Sequence, residues 1–372
     1  MAGKNTKRGP FRADQVGSLL RTPRIKKARE EWQRGQLTAD ALRAVEDEEI
    51  GRIVREQQAI GLKAVTDGEF RRSWWHFDFL ENLDGVEGYY AEQGIQFHEV
   101  QTPSKGIRVV GPIGFSRHPM LEHFRYLQSI AGDRVPKMTI PSPSMLHFRG
   151  TLNSTVYPDQ AQFFHDLAQA YQQAIRAFYE AGCRYLQLDD TAWAYLCDQE
   201  QRAALQQKGW DPEELKRIYA DTLKAALADR PEDMTVTMHI CRGNFRSTWI
   251  ASGGYEPVAD VLFGEVPVDG FFLEYDSERA GGFEPLRHIN RPDLTVVLGL
   301  ITSKVGALEP SDEVKRRIDE ASRYVPLDQL ALSPQCGFAS TEDGNLLTED
   351  EQWAKLRHVV AIAEDVWGAV DA

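Results

Sequence analysis

Short runs of apolar and β-branched residues alternate along the chain with longer amphipathic stretches. In the longer stretches apolar residues recur three and four positions apart, which predicts helices at 39–60, 159–181, 212–229, 311–323 and 349–367. The short runs predict eight strands, at 15–20, 62–69, 135–143, 185–190, 235–241, 270–275, 295–302 and 330–337. Strands that alternate with helices are typical of a parallel sheet, and eight such units predict an α/β fold, a (β/α)8 TIM barrel.

One stretch interrupts this alternation. Residues 84–113 combine β-branched and aromatic residues with turn residues, which predicts a β-hairpin inserted after the second βα unit. The polar segment 1–11 is expected to be a flexible N-terminal tail. The sequence contains no linker or internal repeat, so we expect residues 12–372 to form a single TIM barrel.

Composition narrows the class of protein. The net charge of −13 without a basic cluster argues against nucleic acid as a partner, because that binding draws on lysine and arginine. Neither a long apolar run nor a signal peptide is present, so we expect no membrane contact and a cytoplasmic location. The sequence does not fix the oligomeric state, and a homo-oligomer stays open.

Metal-ligating side chains follow three of the predicted strands. His239 and Cys241 end the fifth strand on one face, and Cys336 ends the eighth. Glu265 and Glu274 are the candidates for a fourth ligand, and Glu274 is favoured because it lies at the carboxyl end of its strand. Nitrogen, sulfur and oxygen ligands gathered at the mouth of a barrel predict a zinc site.

A structural zinc is the alternative for this set. Structural sites usually draw their ligands from tight C-x2-C turns, whereas these ligands span almost a hundred residues at the face where barrels carry active sites. Two thiolates and a carboxylate give a zinc centre a negative net charge, which disfavours water activation and suits a bound thiol that stays nucleophilic. The ligand set therefore predicts an enzyme that alkylates a thiol. The remaining cysteines, Cys183 and Cys197, are expected to be buried core thiols.

Six segments resemble one known family in order and spacing. The chain is similar to the catalytic C-terminal barrel of cobalamin-independent methionine synthase, and closest to its short, single-barrel relatives. The resemblance covers residues 12–368 and is carried by VGSLLRTP (16–23), VTDGEFRR (65–72), LQLDD (186–190), HIC (239–241), FLEYDSE (272–278) and SPQCG (333–337).

The resemblance implies a zinc-dependent methyltransferase that makes methionine from homocysteine and a methyl donor, methyl-folate or another. It implies that the zinc ligands are His239, Cys241, Glu274 and Cys336. It further implies that Glu69 and Asp189 bind the amino group of homocysteine, and that Val16 and Ser18 contact its carboxylate. An ammonium buried in a barrel mouth does need paired carboxylates to offset its lost hydration.

Each of these substrate contacts has a structural alternative. Glu69 and Asp189 could instead form salt bridges with nearby arginines, the candidates being Arg71, Arg72 and Arg184. Asp190 could face the substrate in place of Asp189, and Ser18 could cap the following helix. The aromatic residues Trp74, Trp75 and Phe77 could pack the top of the barrel or form a wall of the substrate site.

Two departures from the family pattern fall on the donor side. Thr302 stands where the family has a histidine that is proposed to protonate the leaving folate, and the tryptophan loop that helps hold the pterin is not recognisable after Pro143. His147 is a candidate replacement acid. Two alternatives therefore stay open: alkyl transfer to another thiol, such as coenzyme M opening an epoxide, and a non-catalytic thiol- or zinc-binding protein. A uroporphyrinogen decarboxylase-like activity needs no metal, so the HIC and SPQCG motifs argue against it.

Overall fold

The computed structural model describes residues 9–90, 94–97, 100–102 and 105–370. The strands in these ranges are β1 (Ala64–Val65), β2 (Asp84–Tyr90), β3 (Gln96–Phe97), β4 (Val100–Gln101), β5 (Lys105–Gly114), β6 (Val135–Pro136), β7 (Met138–Pro141), β8 (Gly150–Thr151), β9 (Tyr185–Asp190), β10 (Thr235–Ile240), β11 (Gly270–Glu274), β12 (Thr295–Ile301) and β13 (Leu330–Pro334).

Parallel pairing follows the order of the chain. One six-stranded sheet has the order β13-β12-β11-β10-β9-β7, and β1 pairs in parallel with β6. Lys137 separates β6 from β7, and its N–H donates to Val65 O at 2.9 Å. Ala13 forms a parallel bridge with Leu332 of β13, while Leu19 N–H donates to Gly68 O at 3.0 Å beyond β1. Eight successive segments therefore lie side by side, as predicted.

Helices occupy the connections between these strands. The α-helices are α1 (Pro23–Gln33), α2 (Ala39–Ile60), α3 (Phe77–Leu80), α4 (Met120–Ile130), α5 (Ser144–Arg149), α6 (Gln160–Glu180), α7 (Ala192–Cys197), α8 (Gln199–Gln207), α9 (Pro212–Leu227), α10 (Glu256–Glu265), α11 (Ser311–Ala321) and α12 (Glu349–Trp367). Short 3₁₀ turns lie at Glu278–Ala280, Glu284–His288 and Leu327–Gln329. None of the helices in the described ranges combines the length and apolarity that a membrane crossing requires.

The predicted helices correspond to α2, α6, α9, α11 and α12, and capping residues explain their boundaries. The Thr38 and Asp159 side chains accept hydrogen bonds from the first turns of α2 and α6. Thr348 and Glu351 form a reciprocal capping box at the start of α12. The other helices, α1, α3, α4, α5, α7, α8 and α10, are not among those predicted. In α1 a charged run leaves the apolar positions sparse.

The predicted hairpin is present. β2 and β5 pair antiparallel, with Val86 opposite Val109, and β8 extends this small sheet on the other edge of β5. Residues 91–93, 98–99 and 103–104 of the predicted insertion lie outside the described residues.

The first predicted strand differs from the structure. Residues 15–20 do not form a strand, and the ladder contact is made earlier, at Ala13. The backbone oxygens of this segment accept hydrogen bonds from side chains instead: Gln187 Nε2 donates to Val16 O and Thr66 Oγ1 donates to Gly17 O, both at 2.7 Å. Leaving the sheet early brings Val16 and Ser18 to the carboxyl ends of the neighbouring strands.

The N-terminal boundary is defined by one buried aromatic side chain. Phe11 packs on Ala64 and Tyr185, and Arg12 N–H donates to Val370 O at 2.9 Å. Residues 1–8 of the predicted tail lie outside the described residues. The division into a tail and one barrel domain stays a prediction.

Candidate metal centre

Four side chains of ligand type meet at the carboxyl ends of the neighbouring strands β10 and β11 and of β13. His239, Cys241, Glu274 and Cys336 each offer one ligand atom, and these atoms lie within 4.8 Å of one another. The sulfur atoms of Cys241 and Cys336 are 3.5 Å apart. All four residues are buried, and they are the residues predicted as metal ligands.

His239 is oriented by the neighbouring strand. It lies in β10 in register with Asp189 of β9 and Phe272 of β11, and its Nδ1 is 3.1 Å from Phe272 O. Its Nε2 is buried without a hydrogen-bond partner among the described residues. Burial alone lowers the pKa of His239, but the interaction with Cys336 and nearby acidic charges raise it to about 9. The ring therefore presents one nitrogen to the cluster.

Glu274 contributes a carboxylate that is only half satisfied. Its Oε1 accepts a hydrogen bond from Arg242 N–H at 2.9 Å, and its Oε2 is buried with no partner in the described ranges. Burial raises the pKa of Glu274 to about 7. The alternative ligand Glu265 ends α10 and pairs with Lys224 at 2.5 Å, away from the cluster.

The protons of the two thiols are coupled through a hydrogen bond between the sulfur atoms. Their mutual hydrogen bond raises the pKa of Cys241 well above its usual value and lowers that of Cys336 well below it, and burial further raises the pKa of Cys241. Gly243 N–H also donates to Cys241 Sγ at 3.3 Å. A divalent metal would replace these protons, because thiolates are the form that binds metal. One nitrogen, two sulfurs and one oxygen form a donor set that fits tetrahedral zinc.

A small cleft adjoins the cluster. It is lined by Val16, Ser18, Glu69, Trp75, Asp189, His239, Cys241, Cys336, Gly337 and Ser340. The four predicted substrate contacts thus lie together with three of the predicted ligands. Sequence reasoning missed Gly337, which directly follows Cys336, and Ser340, which lies four residues after it.

Glu69 reaches this cleft through an unusual backbone conformation. Its φ is +59°, in the left-handed region that residues with a side chain rarely adopt, and it follows Gly68 at φ +64°. Thr139 Oγ1 donates to Glu69 Oε1 at 2.7 Å, and Arg72 lies 3.5 Å from the same oxygen. Oε2 is buried and unpartnered in the described part of the chain. Burial raises the pKa of Glu69 despite Arg72 and Arg21, so the carboxyl group has capacity for a cation.

Of the three arginine alternatives for these acids, Arg72 does form an ion pair with Glu69, and the other two are paired elsewhere. Arg71 forms ion pairs with Glu46 and Asp47, and Arg184 with Asp233. Asp189 accepts a hydrogen bond from Gln187 Nε2 at 2.8 Å. Burial raises the pKa of Asp189 to about 7, with His239 opposing the shift and Glu69 adding to it.

Asp190 has a structural environment. Its carboxylate accepts hydrogen bonds from the Ser142 and Ser144 hydroxyls and from Trp193 N–H, the last at 2.9 Å. It is fully buried and does not line the cleft. Of the two adjacent aspartates, Asp189 faces the cleft and Asp190 joins β9 to α5 and α7.

Asp190→Ala is expected to lower the free energy of unfolding by roughly 2–4 kcal/mol, because two buried hydroxyls and an N–H would lose a charged acceptor. Chemical denaturation of the metal-free protein measures this. Asp189→Asn is the matched control and should cost less than Asp190→Ala; equal losses would contradict the division of roles.

Ser18 does not cap the following helix, since Thr22 is the N-cap of α1. Its carbonyl accepts from Phe338 N–H at 2.9 Å, and its Oγ accepts from Ala339 N–H at 3.3 Å. A Cβ on Gly337 would lie 1.9 Å from Ser18 Oγ. Glycine beside Cys336 therefore lets the segment at 16–18 approach the metal ligands.

The aromatic residues beyond Glu69 divide between packing and the cleft. Trp74 is buried against Phe77 and Phe245, with ring centroids 5.2 and 6.4 Å away. Trp75 lines the cleft and stacks on His76 at 4.5 Å. Cys183 and Cys197 are buried free thiols, as predicted, and burial raises their pKa values to about 12 and about 11.

The candidate acid His147 lies in a different pocket. Its Nδ1 is 2.8 Å from Tyr219 Oη, and it lines a pocket with Arg149, Tyr195 and Trp210 that shares no residue with the metal cleft. Burial lowers the pKa of His147 to about 4. These contacts favour a packing role. Thr302 follows β12, where its Oγ1 accepts from Lys304 N–H at 3.3 Å.

Comparison with known proteins places this geometry in a family. A family model described as the catalytic domain of cobalamin-independent synthase matches residues 11–365. A Bacillus subtilis (strain 168) protein named Uncharacterized protein YxjG is 62% identical over 362 residues, which cover 97% of this chain and 96% of that protein. A 5-methyltetrahydropteroyltriglutamate-homocysteine methyltransferase of Lactiplantibacillus plantarum is 22% identical over 93% of this chain, but the match covers 41% of that enzyme.

A solved structure gives the same result for the fold. The Listeria monocytogenes structure, described as a proposed vitamin-B12 independent methionine synthase, has a TM-score of 0.81 and 51% sequence identity. The match covers 97% of this chain and 99% of that chain.

Proposed function

The chain belongs to the family of cobalamin-independent synthase catalytic domains, and we propose that it methylates the sulfur of homocysteine at a zinc centre, giving methionine. The resemblance found in the sequence is thus confirmed, and zinc-dependent methyl transfer to homocysteine is the activity of this family. One observation carries the proposal for this chain: three of the four candidate ligands line the same small cleft as Glu69 and Asp189.

The donor set supports zinc as the metal. Nitrogen and sulfur ligands select zinc over magnesium or calcium, which prefer oxygen. Buried His239 Nε2 and Glu274 Oε2, both without hydrogen-bond partners in the described residues, are the atoms that a cation would satisfy. Zinc, when bound, would hold the substrate sulfur in its deprotonated, nucleophilic form.

Glu274 is the ligand that we expect to yield if the sulfur needs a coordination position. Among the four it offers the single oxygen ligand, and its other oxygen already accepts from Arg242 N–H. That hydrogen bond would keep the carboxylate in place whether or not it contacts the metal.

Glu69 and Asp189 are proposed to bind the substrate ammonium. Burial raises the pKa values of both carboxyl groups, and the charge of Glu69 adds to the rise for Asp189, so the two resist ionising together and a cation between them removes this repulsion. The unpartnered Glu69 Oε2 is one acceptor for the ammonium. Binding a cationic amine thus favours both ionised acids.

Ser18 and Val16 are proposed to hold the substrate carboxylate. Ser18 Oγ accepts from Ala339 N–H, which leaves its hydroxyl hydrogen for a carboxylate oxygen. Val16 O already accepts from Gln187, so a contact from Val16 would use its N–H. Together the four residues fit the amino and carboxylate groups of an α-amino acid, and the zinc centre adds the requirement for a thiol.

Asp189→Asn is expected to weaken homocysteine use by about 2–5 kcal/mol, because a desolvated ammonium would lose a charged partner. The measurement is methionine formation against homocysteine concentration with the zinc-loaded protein. 4-Mercaptobutyrate has the same thiol and carboxylate without the amino group, and its reaction should respond far less to the mutation.

Two outcomes would contradict this assignment. Equal losses for homocysteine and 4-mercaptobutyrate would make Asp189 a structural residue. Absence of any methionine formation with every donor, alongside tight homocysteine binding, would instead favour a non-catalytic thiol-binding protein.

We also propose a cytoplasmic location. The centre depends on two cysteines in the thiol form, and all four cysteines are free in the structure. A reducing compartment preserves that state.

A further inference from the structure

Lys304 is a buried amine close to the metal centre that the proposed function leaves unused. The residue is 6% exposed, and its Nζ has no hydrogen-bond partner within the described ranges. Among the described residues, Lys304 forms no ion pair: no carboxylate oxygen lies within 4.0 Å of its Nζ. Burying an uncompensated charge is costly, so the surroundings must supply the countercharge.

The loop that carries Lys304 is fastened on both sides of Cys336. Ser303 N–H donates to Gln335 Oε1 at 2.5 Å, and Ser303 Oγ donates to Gly337 O at 3.0 Å. The preceding strand β12 also pairs with β11, where Gly299 lies in register with Glu274. Lys304 therefore follows a segment that is fixed between two of the metal-ligating residues.

The charge of Lys304 acts on three of the candidate ligands, which belong to three different strands. They are Glu274 from β11, Cys241 from the end of β10 and Cys336 from the end of β13. Burial raises the pKa of Glu274, and Lys304 is the largest influence opposing that shift. Lys304 also lowers the pKa values of both thiols, although their mutual hydrogen bond is the dominant influence.

Other acids near this loop have cations of their own. Asp276 lies 3.6 Å from Arg279, and Glu309 lies 3.0 Å from Lys355. The ligand set is thus the group of negative charges left for Lys304.

The second buried cation near the ligands is Arg242, which follows Cys241 and has its guanidinium over the ring of Tyr255 at 4.6 Å. Burial alone lowers the pKa of Arg242, and Tyr255 and Cys197 oppose this more strongly than Glu274 does, so the ligand set is not the main partner of this charge. Lys304 does not line the substrate cleft, whose walls come from the segments at 16–18, 69–75, 189, 239–241 and 336–340. Lys304 is therefore not placed to contact the substrate, and it acts on the metal centre as a fixed positive charge.

We propose that Lys304 is the counter-cation of the metal centre and that its charge enables the centre to accept the substrate sulfur as an anion. Three anionic ligands around a divalent zinc would leave one negative charge. An added thiolate would double the charge of the site even if Glu274 yields its coordination position, because the carboxylate stays beside the metal on its hydrogen bond from Arg242 N–H. One ammonium held close by offsets that increase. The inference rests on the proposed function, because it takes homocysteine as the thiol.

The test compares two ligands that differ in charge at sulfur. Homocysteine brings a sulfur that must lose a proton, whereas methionine has the same amino and carboxylate groups with an uncharged thioether. Calorimetry on zinc-loaded protein at one pH gives both dissociation constants. Lys304→Met is expected to weaken homocysteine binding about 10-fold or more, because the attraction between two opposite charges in a partly buried environment is of that size. The affinity for methionine, whose sulfur is uncharged, should change little.

Two further variants separate charge from shape. Lys304→Arg keeps the charge and should retain most of the homocysteine affinity. Lys304→Gln removes the charge but keeps a polar side chain. It should show the same loss of affinity as Lys304→Met, and it replaces that variant if Lys304→Met folds poorly. Lys355→Met removes another buried lysine, the partner of Glu309, and should lower stability without changing the ratio of the two affinities.

The outcomes distinguish the two proposals. Equal weakening of homocysteine and methionine, or unchanged homocysteine binding in both neutral variants, would overturn the role of Lys304 alone. Failure of the wild-type protein to bind homocysteine would overturn the proposed function and this inference with it.

Discussion

Cys336→Ser is expected to remove most of the bound zinc, which should be about one ion per wild-type chain, and to abolish methyl transfer. A serine hydroxyl stays protonated at neutral pH, so it replaces a thiolate ligand by a neutral one. Cys336 and Cys241 lie 3.5 Å apart at strand ends and belong to none of the hydrophobic core clusters. Their loss should therefore leave the fold intact, and Cys241→Ser should behave in the same way.

Metal analysis, methionine formation and circular dichroism on the same preparations measure these three effects. Cys197→Ala is the matched control, because Cys197 is a buried free thiol outside the cluster. It should keep its zinc and its activity. Full activity of wild-type protein after removal of the metal by a chelator would refute a catalytic zinc.

Hydrophobic periodicity predicted most of the fold because the strands are buried on both faces and the helices are amphipathic. β9 coincides with its predicted range, and α2 and α12 match theirs at both ends. The first strand could not be placed in this way. Its backbone oxygens bond to the side chains of Gln187 and Thr66, and such long-range partners leave no trace in local periodicity.

The positions of the candidate ligands were also accessible from sequence. Residues at the carboxyl ends of parallel strands meet at one face of the sheet, and His239, Cys241, Glu274 and Cys336 lie at such ends. The alternation of side chains along a strand could not decide between Asp189 and Asp190, because either residue could have faced inward. The serines that engage Asp190 belong to another strand-helix connection.

Two features of the site depend on tertiary contacts. The left-handed backbone of Glu69 is held by a turn in which Glu69 N–H donates to Asp67 Oδ1 at 2.9 Å. In the sequence, the indication of this turn is Gly68, the glycine that precedes Glu69. No motif in the sequence marks Lys304 for burial; its loop packs against the Cys336 segment, and the residue is buried there.

The donor side of the cleft differs from the thiol side. Thr302 stands where the family's proton-donating histidine is expected, and its backbone N–H donates to Glu309 Oε1 at 2.8 Å while its hydroxyl accepts from Lys304 N–H. His147 packs against Tyr219 in another pocket. Among the described residues that line the metal cleft, His239 is the sole imidazole, and it is a proposed ligand. An acid for a leaving pterin amine is therefore not supplied by these residues.

Turnover with methyltetrahydrofolate monoglutamate is accordingly expected to be slow or absent. General-acid assistance typically contributes ~10²–10⁴-fold, and a pterin amine is a poor leaving group without it. A donor that needs less protonation should react faster at the same centre: a corrinoid-bound methyl group, a sulfonium, or a simpler methylated amine or ester. Rates of methionine formation from these donors at fixed homocysteine measure the difference, with His147→Ala as a control that should change none of them. Efficient transfer from the folate, unaffected by His147→Ala, would show that the acid is supplied by another group and that the loss at Thr302 matters little.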